Sequence, residues 1–187
     1  MLFFRWKQEF SQRKIMSISL CGIFTSFLVA SRFILQFIPN IKFNVALTIV
    51  SGVVLGPFFG FLTGFMSMFI SDFLIVVGPW TFIDSFLMGF IGFLSGKIWF
   101  KKNNFSKLEL AMAGLLLTVF YDIFSSIAVM SIFGLPWYVS VINLYLPTFI
   151  GGIPYPFGPI HELSNAFFTS ILTPVVVREL GKVKIYG

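Results

Sequence analysis

No charged residue separates Lys42 from Asp72, and that stretch sets the terms for the whole chain. Within it Gly52, Gly56, Gly60 and Gly64 recur every four residues around Pro57. Each glycine in the interior of a water-exposed helix costs about 1 kcal/mol relative to alanine, so this would be a poor soluble helix. In lipid the same spacing is useful, because small residues on one face let helix backbones approach closely. The stretch from Val45 to Asp84 is therefore expected to form two membrane spans joined by a tight turn at Gly56-Pro57. It leaves the bilayer at Asp72, and Gly78-Pro79-Trp80 leads into the next span.

Composition points the same way. The chain is 57% hydrophobic and 11% charged, with 27 phenylalanines among 187 residues, whereas soluble domains carry about 25% charged residues. The lone Cys21 excludes an intrachain disulfide and a cysteine-based metal site. The formal charge of +6 does not indicate a nucleic-acid partner, because the basic residues flank apolar runs, where they set orientation in a lipid bilayer. The basic N-terminus resembles the start of a signal peptide. Its apolar run is long enough to span and ends in Leu35–Asn40 without a small-residue cleavage site, so it is expected to be retained.

The chain divides into a cytoplasmic leader (1–14), a six-helix membrane domain (15–180) and a cytoplasmic tail (181–187). The spans are expected near 15–38, 44–58, 59–77, 81–100, 110–133 and 160–180, the second and third being short for a bilayer that needs about 20 residues per helix. The expected fold class is an all-α integral membrane protein with six transmembrane helices and both termini cytoplasmic. A long outer loop, 134–160, joins helices 5 and 6. On this topology eleven of the thirteen basic residues lie inside and only Arg32 and Lys42 lie outside, in accord with the positive-inside rule. Five spans would put the basic tail on the wrong side.

The outer side then collects the chemistry. Arg32, Asn40, Lys42 and Asn44 come from the first outer loop, and Asp72, Trp80 and Asp84 from the second. The third supplies Trp137, Tyr138, Asn143, Tyr145, Tyr155, His161 and Glu162, with Asn165 one turn into the last span. Aromatic faces with a few polar groups suit a small polar ligand that has a ring portion. An interfacial aromatic belt accounts equally well for Trp137 and Tyr138. The third loop, however, far exceeds the usual helix connection of about two to eight residues, which suggests a lid. Asp122 lies mid-span, where a carboxylate is costly and is paired or functional. A hydrogen bond to a serine, threonine or tyrosine of a neighbouring helix is the simplest reading. Asp72 and Asp84 are read as near the surface, with Arg32 as a counter-ion for one of them. His161 and Glu162 open the last helix, as residues favoured at a helix start. One histidine and scattered carboxylates make no metal cluster, no cofactor is expected, and no nucleotide-binding loop is present.

Gly22, Ser26 and Ala30 place small residues along one face of the first span, suited either to internal packing or to docking another helix. Together with SGVVLGPFFGFLTGFMSMFISDFL, GPWTFIDSFLMGFIGFLSG, TVFYDIFSS and PFGPIHELSNAFFTSILTPVVVREL, this stripe resembles the substrate-binding S component of an energy-coupling-factor (ECF) transporter, over about residues 15–180. The resemblance implies a non-enzymatic subunit that takes a water-soluble vitamin or related micronutrient from outside. It also implies partners: a transmembrane T subunit docked on Gly22, Ser26 and Ala30, and two cytoplasmic ATPases that drive toppling of the S component. Gly and Ser replace two alanines of that family's docking face. Cobalamin, other vitamins and a queuosine precursor all remain open as ligand. The alternative is a non-transport scaffold of the cell-envelope machinery, similar to the rod-shape family. An intramembrane enzyme using Asp72, Asp122 and His161 is a weaker third reading, since their spacing forms no recognised set.

Overall fold

The computed structural model describes residues 2–38, 41–102, 104–150, 153–155 and 157–181, with side chains for 14–38, 41–102, 104–147 and 157–181. Asn40 and the tail beyond Gly181 lie outside the described residues, as does the side chain of Tyr155.

Helix α1 runs Leu2–Ile34 and tightens into a 3-10 turn at Leu35–Phe37. The leader is thus continuous with the first span, whose apolar part is Lys14–Phe37. Helix α2 is Asn44–Leu55, α3 Pro57–Ile75, α4 Trp80–Trp99 and α5 Lys107–Ile132. Helix α6, Trp137–Tyr145, and a two-stranded hairpin follow inside the long connection, before α7, Phe157–Gly181. The hairpin pairs β1 (Thr148–Ile150) with β2 (Ile153–Tyr155) antiparallel, Thr148 opposite Tyr155. The chain is otherwise helical, as expected, and the long loop contains a helix and this short β-ribbon.

Among the described residues five helices are long and apolar enough to cross a membrane, and α2 is a shorter apolar one. Twelve residues reach about 18 Å at 1.5 Å per residue, well short of the ~30 Å hydrocarbon core. Every residue of α2 is buried, and the helix touches α1, α3, α4, α5 and α7. A helix apolar all round suits only such an enclosed place. Val45, Ile49 and Val53 pack with Met68, Met88, Ile91 and Tyr121 on one side. On the other, Val50, Val54 and Leu55 meet Leu20, Phe24 and Leu172.

Gly56 ends α2 at φ 85°, a conformation that favours glycine, and Pro57 starts α3 at its first turn, where its missing N–H is harmless. The glycine row then brings α2, α3 and α4 together: a Cβ at Gly52 would lie 2.9 Å from the Gly96 nitrogen, and one at Gly60 2.6 Å from the Gly52 Cα. A second close seam joins α5 and α7, where a Cβ on Gly114 would sit 2.6 Å from Thr169 Oγ1. On its outer flank α3 carries Phe61, Phe65, Phe69 and Phe73, whose successive rings are 5.8, 5.8 and 5.0 Å apart. The row faces Phe82 and Phe86 of α4. The reading of Asp72 as a solvated surface residue is corrected, since α3 continues to Ile75 and Asp72 is 4% exposed.

Candidate functional site

The start of α2 has four backbone N–H groups without helical partners, and Phe43 before it gives no side-chain cap. The cap comes from elsewhere in the sequence: Asn165 of α7 accepts a hydrogen bond from the Ala46 N–H through Oδ1 at 2.9 Å. Its amide donates to the His161 carbonyl at 2.9 Å. Ser164 adds a contact from α7 to the 41–43 segment, donating to the Lys42 carbonyl at 3.2 Å.

His161, one turn earlier on α7, is buried. Its Nδ1 lies 2.8 Å from Asp122 Oδ1 on α5, and its Nε2 3.5 Å from Asn44 Oδ1 on α2. The mid-span carboxylate is therefore partnered by the histidine rather than by a hydroxyl, and the histidine is a buried link rather than a cap. Glu162 is likewise buried and accepts a hydrogen bond from the Tyr145 hydroxyl at the end of α6, at 2.8 Å. Burial, then that contact, pushes the Tyr145 phenol well above its ordinary range. These residues form a polar node, with α6 attached to it through Tyr145.

Two further pairs flank the node. Arg32 of α1 binds Asp72 Oδ1 at 2.8 Å and also donates to Ser71, leaving Asp72 Oδ2 buried without a hydrogen-bond partner. Arg32 is thus the counter-ion of Asp72. Asp84 lies inside α4 and accepts from Ser125 of α5 at 2.5 Å. Lys42 is half-buried and forms no ion pair with a described carboxylate. Desolvation lowers its pKa from 10.5, and Arg32 adds to this; Asp122 and Asp72 act in the opposite direction.

The structure thus brings Lys42, Asn44, His161 and Asn165 together, with Arg32, Asp72 and Asp84 in nearby pairs. It does not bring Trp137 and Tyr138 there. They are 63% and 52% exposed on α6 and meet each other edge to face at 6.0 Å. Trp80 packs on Phe133, with ring centroids 6.4 Å apart. Asp122, Glu162, Tyr145 and Ser125 complete the arrangement. The signal for Asp122 was its place mid-span, and for Glu162 its neighbour, the sole histidine. Ser125 carried no signal, because its role depends on the rotation of α5 against α4. Among the described residues no group of three histidine, cysteine or carboxylate side chains could hold a metal ion.

Gly22, Ser26 and Ala30 are exposed on α1. A Cβ at Gly22 would meet nothing within 4 Å, so the stripe does not pack internally.

No curated protein and no solved structure matches this chain. Residues 12–181, by contrast, match the model of a family described as the S component of ECF-type riboflavin transporters. That span includes α2–α7, the buried node and the exposed face of α1. The chain therefore belongs to the ECF-type riboflavin transporter S component family, a family of non-enzymatic substrate-binding transport subunits.

Proposed function

We propose that this chain captures riboflavin outside the cell and delivers it inward as the S component of an ECF importer. The observation that carries the reading is the buried node of Asn44, Asp122, His161 and Asn165, in a chain of this family. Riboflavin is a neutral molecule with a flat ring whose polar edge alternates acceptors and a donor. Beside the node the Arg32 guanidinium is compensated by Asp72, and His161 is already engaged by Asp122, which suits a ligand without net charge. Asn44 and Lys42 supply donors to ring carbonyls, and the free oxygen of Asp72 supplies an acceptor. Helix α6 acts as part of a lid at this end, with Tyr145 anchoring it to Glu162.

The six-span topology belongs to the same reading, with α2 as the short enclosed span and both termini cytoplasmic. So does docking: the open face at Gly22, Ser26 and Ala30 receives a transmembrane T subunit, and two ATPases drive the cycle. The scaffold alternative has no comparable support.

The test is titration of free riboflavin with the protein in mild detergent, reading the loss of flavin fluorescence. Stoichiometric quenching, weakened in Asn44→Leu, supports the proposal. Absent quenching, with a different vitamin binding from a panel, overturns the riboflavin assignment.

A further inference from the structure

At the end of the bundle opposite the start of α2, the 104–105 turn and the last two turns of α7 enclose a cavity of about 390 Å³. Phe105, Pro174 and Val177 form its apolar wall, and Asn104, Arg178 and Gly181 its rim. Gly181 leaves part of the space unfilled, since a Cβ there would meet nothing within 4 Å. The Lys102 ammonium lies 6.0 Å from the Phe105 ring centroid. Lys97, Lys101 and Lys107 stand exposed nearby in sequence, and none forms an ion pair with a described carboxylate. Among the described residues here, Glu109, paired with Lys102, and Glu179, paired with Arg178, oppose this charge. Trp99 sits at the same level and donates its indole N–H to Glu109 at 2.6 Å. Indoles and lysines together mark the boundary between hydrocarbon and water.

An apolar pocket with Arg178 at its edge, at the basic end of the bundle, complements a phosphate carried on a hydrocarbon body. We propose that this cavity seats the headgroup of an anionic phospholipid, its phosphate between Arg178 and Asn104 and its glycerol ester region against Phe105, Pro174 and Val177. A zwitterionic lipid brings its own cation beside Arg178 and to the basic end of the bundle, so it binds less well. A free phosphate ion makes the polar contacts but leaves the apolar wall uncovered.

The experiment is native mass spectrometry of the full chain in detergent with equal amounts of phosphatidylglycerol and phosphatidylcholine. One phosphatidylglycerol is expected to be retained in preference, and retention is expected to fall about tenfold in Arg178→Gln, which removes the cation nearest the phosphate. Gly181→Trp places a bulky side chain at the edge of the cavity, where a Cβ meets nothing within 4 Å, and is expected to abolish retention while leaving flavin quenching intact. Equal retention of the two lipids overturns the proposal, as does full phosphatidylglycerol retention in both variants. Displacement of the lipid by millimolar inorganic phosphate also overturns it, by assigning the site to the free ion.

Discussion

One nitrogen of His161 engages both carboxylate oxygens of Asp122, at 2.8 and 2.9 Å. The two residues lie on α7 and α5, and the second nitrogen of the ring faces Asn44 on α2. A single imidazole thus sets the relative position of three helices at one end of the bundle. Low dielectric around such a pair makes it costly to break from one side, because the remaining partner stays buried.

Removing either partner is expected to destabilise the protein by about 3 kcal/mol. The double change Asp122→Ala with His161→Ala is expected to cost at least about 1 kcal/mol less than the sum of the single changes, the mark of direct coupling. Unfolding of the four proteins in detergent measures this. Simple additivity would remove the linking role.

Asn165→Ala removes the one side chain that caps α2 among the described residues, together with the bond to the His161 carbonyl. The expected loss is about 1–2 kcal/mol. Asn165→Asp keeps the acceptor and is expected to retain the cap better than Asn165→Ala. Thermal unfolding of both variants checks the order.

Two glycine substitutions should separate folding from docking. Gly92→Leu places a side chain against the backbone of Gly60 and Phe61 and is expected to prevent a folded monomer, as judged by size-exclusion in detergent. Gly22→Leu meets open space and is expected to leave folding and flavin quenching unchanged while abolishing co-purification with the T subunit. Intact co-purification would remove the α1 docking assignment.

Lys42 predicts a pH dependence. Its folded pKa lies below the ordinary 10.5, so between the two values the unfolded chain binds more protons. Stability from this group therefore rises as pH climbs through that window and is lower beneath it. Lys42→Met is expected to be more stable than the wild type at neutral pH and to lack the alkaline rise, with weaker flavin quenching. Parallel melting curves against pH for both proteins test the sign.

The helical segments and the Gly56-Pro57 turn were legible because they depend on local composition. The absence of charge between Lys42 and Asp72 needs no partner to be recognised. The depth of Asp72 was not legible: a carboxylate near a helix end looks the same whether solvated or paired, and only the position of Arg32, 40 residues away, decides it. Asn44, Lys42, His161 and Asn165 could be gathered from their position at one end of their spans. Their bonds could not, because those depend on helix rotation. The outward facing of Trp137 and Tyr138 was not legible for the same reason, since the facing of a nine-residue helix is set by what lies beneath it.

The complete burial of α2 has a consequence for how the chain is made. When α2 leaves the ribosome, α4, α5 and α7 have not yet been synthesised to surround it. At about 18 Å it is too short to settle across a bilayer alone, so it must enter as one half of a hairpin with α3, bent at Gly56. The cap on its first turn arrives 119 residues later in sequence with Asn165. A chain stalled before α7 thus holds α2 with an open end and lacks half of the polar node. On the proposed function, capacity to hold riboflavin therefore appears only once α7 has joined the bundle, and ligand retention reports that α7 has docked.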